Sequence, residues 1–179
     1  HFDAVPELES ILEAKGDEFR LAQVRRSTEL ANVHFVRQGQ PKGLGHAVLC
    51  ARYHVGDEPF AVLLGDDLIG EREHLLTEMM ELQSRTGGSV VAQIEVTPDQ
   101  VDLYGCAAVE PLGGDNPDHL RVTGLVEKPD PAHAPSSLAV IGRYVLHPAV
   151  FDVLDRTVPG AGGEIQLTDA LATLAGVPA

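Results

Sequence analysis

The sequence contains few of the residues that stack on nucleobases or cross membranes. It has no tryptophan, and aromatic residues make up 4% of its 179 residues. No apolar run approaches the ~20 residues that a membrane-spanning helix needs. Acidic residues outnumber lysine and arginine by 27 to 13, so the formal net charge is −14. Such a surface repels nucleic acid and anionic membranes, and we expect neither as a partner.

Cysteine is also scarce. Cys50 and Cys106 are the two cysteines, and both lie in apolar surroundings far apart in the chain. This usage is typical of small buried hydrophobic residues and not of a disulfide framework or a metal-binding knuckle. The chain also opens without the charged and apolar segments of a secretory signal. Together these features predict a cytoplasmic protein.

The length and composition fit a single globular domain, residues 1–179. Hydrophobic residues make up 44% of the chain and charged residues 22%. The first residue is His1, and the last segment stops soon after a helical pattern begins. We therefore interpret the chain as an internal piece of a longer protein, with both termini of its domain missing.

Helical and strand patterns alternate along the chain, which predicts an α/β sandwich with a mixed, mainly parallel sheet. The apolar run at 60–64 is typical of a strand covered on both faces. A turn-rich segment between two β-rich runs predicts an antiparallel hairpin at 106–126. Thr168 is expected to be the N-cap of the last helix. The predicted strands are 33–36, 60–64, 89–96, 106–109, 120–126 and 138–146, and the predicted helices are 3–15, 18–29, 46–52, 75–86, 148–156 and one starting at 168.

Three chemically suggestive segments follow predicted strands: 38–45, Asp66 with Asp67, and Glu127 with Lys128. Ligands of open α/β sheets bind beyond the carboxyl ends of strands, so we expect the three segments to share one pocket. Pro129 predicts a bend after Lys128, because it cannot continue a strand. A carboxylate there could accept from sugar hydroxyls while the lysine meets phosphate. An exposed ion pair that merely ends the strand is the alternative.

The other two segments also have two interpretations. Gln38 opens a loop with three glycines, and its amide suits the edge of a nucleobase, although a flexible connection would look similar. Asp66 is placed to bind Mg²⁺, which takes one or two carboxylates together with substrate phosphates. A turn or cap aspartate is the alternative, and Asp67 is the expected cap. The sequence has no standard phosphate-binding loop, no nucleophilic triad and no metal-ligand spacing among its histidines.

Four segments, in this order, resemble the bacterial UTP–glucose-1-phosphate uridylyltransferases. They read VRQGQPKGLGHAV at 36–48, LGDD at 64–67, VEKP at 126–129 and PGAGGEIQLTDA at 159–170. The first and last are specific to that branch, whereas the short middle segments occur in sugar nucleotidyltransferases generally. The resemblance spans essentially the whole chain. It implies a Rossmann-like nucleotidyltransferase fold, a three-layer sandwich.

The resemblance also implies a reaction: UTP and glucose 1-phosphate give UDP-glucose and pyrophosphate. Gln38 and the backbone of Gly43 would hold uracil, Asp66 would bind Mg²⁺, and Lys128 would pair with the phosphates. Asp66 and Lys128 are therefore the expected catalytic residues. Gly105 would contact the sugar nucleotide, and Glu127 would accept hydrogen bonds from glucose hydroxyls. Val140 and Gly142 would line the sugar side, and the segment 164–168 would frame that pocket. The family usually forms dimers or tetramers.

The family's glycine-rich start and its second metal-binding aspartate are not found in these 179 residues. We therefore expect the piece alone to have little activity, and the full-length parent to be the enzyme. Two alternatives stay open. One is a related enzyme such as a glucose-1-phosphate thymidylyltransferase, and the other is a non-catalytic module that binds sugar nucleotides.

Overall fold

The computed structural model describes residues 3–70, 74–114 and 116–176. The chain divides into two compact units, His1–Arg37 and Gln38–Ala179. The first unit contains helices α1 (Pro6–Ala14) and α2 (Glu18–Glu29), both as predicted. Arg25 of α2 holds them together by ion pairs with Glu9, at 3.0 Å, and with Glu13. The predicted strand at 33–36 is wrong, because this exposed stretch forms no strand in the described chain.

The second unit contains five strands and five helices among its described residues. Two short 3₁₀ turns, Val101–Leu103 and Ala161–Gly163, connect some of them. The hairpin and the long strand at 138–146 are confirmed. The strands are β1 (Phe60–Leu63), β2 (Val90–Glu95), β3 (Gly105–Pro111), β4 (Leu120–Glu127) and β5 (Leu138–Leu146). The helices are α3 (Leu44–Cys50), α4 (Arg52–Val55), α5 (Leu75–Thr86), α6 (Val150–Leu154) and α7 (Leu167–Ala175).

The sheet has the order β1-β5-β3-β4, with β2 on the opposite edge of β5. Every pairing among the described strands is antiparallel, which corrects the expectation of a mainly parallel sheet. The physical reason is the position of β5. It runs against β1, β2 and β3, so these three share one direction, as strand–helix alternation predicts. However, β5 lies between β1 and β2 and separates them.

Helices cover both faces of this sheet, which confirms the three-layer α/β architecture. Side chains alternate along β5, so Tyr144 and Leu146 face α3, α6 and α7, whereas Val145 faces α5. On the first face, the rings of Phe60 and Phe151 stack with centroids 4.9 Å apart. β1 is not covered on both faces as expected, since its residues alternate between half-buried and exposed.

Two local predictions about the chain's turns have different outcomes. The bend after β4 is confirmed, because Lys128 has a φ of 46°, in the left-handed region. Thr168 as an N-cap is wrong, because α7 begins at Leu167 and Gln166 takes the cap position. None of the helices in the described ranges is long and apolar enough to cross a membrane.

Candidate active site

The loop that opens with Gln38 is anchored to the segment before α7. The N–H of Gly45 donates to the carbonyl of Ile165 at 2.9 Å, and the N–H of Ile165 donates to the carbonyl of Lys42 at 2.8 Å. Gly43 has a φ of 96°, and a Cβ on it would lie 2.8 Å from the Cβ of Glu164. Only glycine fits this conformation and this approach. The loop is therefore held in place and is not the flexible connection considered as an alternative.

Within the loop, the side chain of Gln38 folds back onto the start of α3. Its Nε2 donates to the carbonyl oxygen of Gly43 at 3.0 Å and lies 3.0 Å from Nδ1 of His46. This contact of His46 could not be predicted from the sequence, because the spacing of the histidines indicates no shared site. The side chain of Gln38 is half-buried, so the amide is both ordered by its neighbours and open to a ligand.

Glu127, the last residue of β4, is hydrogen bonded to α7. The hydroxyl of Thr168 donates to Oε2 of Glu127 at 2.6 Å. Gly105 stands opposite Glu127 in the β3–β4 register, and a Cβ on Gly105 would lie 3.1 Å from both that oxygen and the Thr168 hydroxyl. A larger residue at 105 would therefore crowd the contact. The hydroxyl of Thr168 orients the carboxylate, which is why it caps no helix.

Lys128 leaves the strand at this point. Its side chain is exposed, and its N–H donates to the carbonyl of Tyr104 at 3.0 Å. The left-handed backbone costs a non-glycine residue about 1 kcal/mol or more, and such strain clusters at functional sites. The bend means that Lys128 does not continue the alternation of the strand. The ammonium group and the Glu127 carboxylate are thus placed on adjacent residues at a break in the strand.

The turn after β1 is held by β5. Oδ2 of Asp67 accepts from the N–H of Gly142 at 2.7 Å, so Asp67 does not cap a helix as expected. The guanidinium of Arg143 donates to the carbonyl of Leu64 at 3.1 Å and to the carbonyl of Asp67. A Cβ on Gly142 would lie 2.3 Å from the Asp67 carboxylate, so this position has room for glycine alone. Asp66 itself is exposed at this turn.

The Asp66 turn contacts the middle of β5, and Glu127 ends a strand that is separated from β5 by β3. Contrary to expectation, they do not lie at one carboxyl edge of a parallel sheet. β1 pairs with β5 at residues 143–146, whereas β3 pairs with the same edge of β5 at Ala139. Along this edge, the end of β1 and the start of β3 therefore flank a gap at residues 140–142, and Glu127 of β4 lies one strand further from β5, opposite Gly105. Val140 and Gly142 lie in this gap, on the same face of β5 as Tyr144.

The buried hydroxyl of Tyr144 is influenced by charges from both β4 and the turn after β1. Burial raises the pKa of its hydroxyl to about 12, and the charges of Glu127 and Asp67 add to the rise. Burial also raises the pKa of Cys106, again with a contribution from Glu127. Hydrogen bonds thus link Gln38 to Gly43, the same loop to Ile165 just before α7, and Thr168 of α7 to Glu127. The turn that carries Asp66 is held separately, by Gly142 and Arg143 of β5.

The exposed Asp66 suits a hard cation that takes part of its ligands from substrate. Within the described ranges, no other group hydrogen bonds to its carboxylate, and no three His, Cys, Asp or Glu residues are grouped to hold a metal by themselves. Mg²⁺ commonly uses one or two carboxylates and completes its coordination with phosphate oxygens and water. The donor set at this turn fits such an ion.

The nucleotidyl transferase family model matches residues 7–176, and the chain belongs to this family. Among curated proteins, it is 45% identical to a Bacillus subtilis UTP–glucose-1-phosphate uridylyltransferase over 174 residues, which are 97% of the chain and 59% of that protein. It is 47% identical to a second one from the same organism, YngB, over 96% of the chain and 57% of the relative.

Solved structures give the same result. A UDP-glucose pyrophosphorylase complexed with UDP-glucose has 39% identity and a TM-score of 0.81, with 97% of this chain and 62% of that one covered. A UTP-bound UGPase from Acinetobacter baumannii has 39% identity and a TM-score of 0.83, with 98% and 60% covered. The predicted family and fold are confirmed. The chain spans about three-fifths of the length of these relatives.

Proposed function

We propose that the full-length protein that carries this chain transfers the uridylyl group of UTP to glucose 1-phosphate, producing UDP-glucose and pyrophosphate. The observation that carries this proposal is the set of hydrogen bonds that links the Gln38 loop to Glu127, together with the turn that carries Asp66, which is held by strand β5. It joins a group suited to a nucleobase edge with groups suited to sugar hydroxyls and phosphates. Relatives with this activity in their names, at 45% and 47% identity, support it.

Each proposed binding residue has a role that fits its place. Gln38 and the backbone of Gly43 bind uracil, since both belong to one anchored loop. Glu127 accepts hydrogen bonds from glucose hydroxyls with the oxygen capacity that Thr168 leaves unused. The residues that complete the sugar side are Gly105, Val140 and Gly142, which are all buried.

In the reaction, the phosphate oxygen of glucose 1-phosphate attacks the α-phosphorus of UTP in line, and pyrophosphate leaves. Such transfer depends on positioning and on neutralising charge, and it needs no general base. Lys128 holds and neutralises the reacting phosphates, and Glu127 orients the sugar so that its phosphate faces the α-phosphorus. Mg²⁺ held by Asp66 would neutralise further phosphate charge when bound.

Three further features belong to the same proposal. Residues 1–179 form part of a single nucleotidyltransferase domain, the protein is cytoplasmic, and the full-length parent is a homodimer or homotetramer. The location is supported by the two cysteines, since Cys50 and the buried Cys106 are both free thiols. The assembly rests on the family resemblance alone, and light scattering of the parent protein would test it.

Pyrophosphate release measured with glucose 1-phosphate tests the function. We expect the full-length parent to use UTP well and dTTP poorly, and the 179-residue chain to show little turnover. Efficient use of dTTP instead would favour a thymidylyltransferase. Calorimetric binding of UDP-glucose by the parent protein without any turnover would favour a binding module. Turnover by the isolated chain at the rate of an intact enzyme would contradict the interpretation that it is only a piece.

A further inference from the structure

The side-chain amide of Gln38 uses both of its N–H groups inside the protein. Nε2 lies 3.0 Å from the carbonyl oxygen of Gly43 and 3.0 Å from Nδ1 of His46. A backbone carbonyl can only accept, so it assigns the nitrogen of the amide to this side. His46 then accepts the second N–H through Nδ1, which places its own ring proton on Nε2.

The oxygen of the Gln38 amide, Oε1, is the group that is left to bind a ligand. Within the described part of the chain, no donor bonds to Oε1 of Gln38. The side chain is half-buried, in a loop held by Ile165 and Lys42, so the oxygen cannot easily be exchanged for the nitrogen by rotation. A rotated amide would bring Oε1 against the Gly43 carbonyl, which offers no hydrogen. The group presented to a ligand is therefore an acceptor.

We propose that His46 is a positioning residue that fixes the Gln38 amide with its oxygen toward the base, and thereby selects uracil over cytosine. Uracil carries an N–H at position 3, which donates to this oxygen. Cytosine carries a lone pair at the same position, and the two acceptors would repel each other. This inference rests on the proposed function, because it assumes that Gln38 meets the base.

Without an acceptor at residue 46, one N–H of Gln38 has no partner inside the loop. Rotation of the whole amide, which brings Nε2 toward the lone pair of cytosine, then breaks one internal hydrogen bond, to Gly43, instead of two. Discrimination would fall, although the loop keeps its backbone anchors. Cys50 is a weaker neighbour of the same ring, with its Sγ 3.9 Å from Nδ1 of His46, so its removal should leave the amide in place.

The test compares kcat/KM for UTP and CTP in the full-length parent and its variants. His46→Leu, similar in volume but without an acceptor, should lower the UTP preference about tenfold. His46→Asn should restore the preference, since its amide oxygen can take the place of Nδ1. Cys50→Ala is the matched control and should discriminate like the unchanged protein. The KM for glucose 1-phosphate should stay the same in all of them.

The outcomes separate this inference from the proposed function. A parent protein that does not use UTP refutes the function itself. A parent that prefers UTP, with His46→Leu preferring it equally, overturns the role of His46 alone. Equal loss of rate with both nucleotides and a raised KM for glucose 1-phosphate would show a purely structural role. Should His46→Leu fail to fold by circular dichroism, His46→Ala, which only removes atoms, carries the same expectation.

Discussion

At the residue scale, the contact between Thr168 and Glu127 joins two parts of the chain 41 positions apart. Its 2.6 Å length is typical of a hydroxyl that donates to a charged carboxylate, a stronger bond than one between neutral groups. One carboxylate oxygen is thereby occupied, and the orientation of the other is set. The orientation of the proposed glucose-binding carboxylate thus depends on a residue that the sequence presents as an ordinary helix cap.

Thr168→Val tests this contact, because valine keeps the shape and removes the donor. We expect the KM for glucose 1-phosphate in the full-length parent to rise about five- to tenfold, corresponding to one lost hydrogen bond, while the KM for UTP stays unchanged. Steady-state kinetics with each substrate varied in turn measures both. Thr168→Ser retains the hydroxyl and should behave like the unchanged protein. A rise in both KM values would mean that Thr168 supports the fold and not Glu127.

Lys128 should act through its charge at the reacting phosphates. A methionine at this position has a side chain of similar length and needs the same left-handed backbone, but it carries no charge. We expect kcat to fall by about 10²- to 10³-fold, as for the loss of other groups that stabilise developing charge. Stopped-flow or steady-state pyrophosphate release measures the rate. Lys128→Arg, which retains the charge, should keep more activity than Lys128→Met, and equal losses in the two would argue against charge neutralisation.

Tyr144 makes the stability of the protein sensitive to alkaline pH. An unfolded tyrosine has a pKa of about 10, whereas burial raises that of Tyr144 to about 12. The folded state therefore disfavours the ionised form. The contribution of Tyr144 to the free energy of unfolding is complete below pH 10 and falls by up to about 3 kcal/mol as pH rises toward 12.

Urea unfolding at a series of pH values measures this decrease. Tyr144→Phe should lose the part of the decrease that belongs to Tyr144, while other groups that ionise in this range keep theirs. Tyr53 is 99% exposed, so Tyr53→Phe is the matched control and should leave the pH profile unchanged. A profile that is identical in the protein and in Tyr144→Phe would contradict the raised pKa.

Local chemistry made part of the site predictable at this scale. Pro129 predicted the bend at Lys128, since proline restricts the residue that precedes it. The contacts of Thr168, Arg143 and His46 were not predictable. Each contact depends on a partner that is brought near by the fold, so the neighbouring residues do not indicate the contact. Asp67 likewise looks like a cap but accepts from Gly142, 75 positions away.

At the scale of elements, the middle of β5 supports the turn that carries Asp66. The absence of a side chain at Gly142 lets Asp67 accept from the strand's own N–H. A Cβ there would also lie 2.6 Å from Cβ of Leu64, so the turn would have to move. The position of the proposed metal ligand therefore depends on a glycine in a neighbouring strand.

Gly142→Ala should displace this turn. We expect it to lower the free energy of unfolding by about 2 kcal/mol or more, as overpacking in a core does, and to raise the Mg²⁺ concentration needed for half-maximal activity of the full-length parent. Urea denaturation and a magnesium titration measure the two effects. Gly65→Ala is the control, because a Cβ there meets nothing within 4 Å. Unchanged magnesium dependence in Gly142→Ala would separate the turn from metal binding.

The positions of the helices and strands were largely predictable from the sequence, but the order of the strands in the sheet was not. Apolar periodicity located both strands of the hairpin and the whole of β5, because each buries one or both faces. Alternation with helices correctly implied that β1 and β2 run in the same direction. It could not show that β5, which comes later in the chain, would lie between them. The run at 33–36 had strand-like residues but finds no sheet partner among the described strands.

At the scale of the whole molecule, the excess of acidic residues opposes folding. The net charge of −14 on 179 residues means that acidic side chains repel one another in the folded protein, and salt weakens this repulsion. Raising NaCl from about 10 mM to about 150 mM shortens the screening length from ~30 Å to ~8 Å. We expect the free energy of unfolding to rise by about 1 kcal/mol and the Tm by ~2–4 °C.

Thermal unfolding followed by circular dichroism at the two salt concentrations measures this shift. Repeating it near pH 5, close to the isoelectric point of about 4.8, is the control, and the salt effect should be smaller there because the net charge is small. A Tm that falls with added salt at neutral pH would show that favourable ion pairs, such as those of Arg25, outweigh the repulsion.

The central place of β5 has a consequence for biosynthesis. β1, β2 and β3 are all made before β5, and each of them pairs with it. Until residue 146 has emerged from the ribosome, these earlier strands display open backbone edges, which associate readily with other chains. A nascent chain stalled before residue 138 would therefore be the form that most needs a chaperone. Once the nine residues of β5 have emerged, the earlier strands can pair and the need for a chaperone ends.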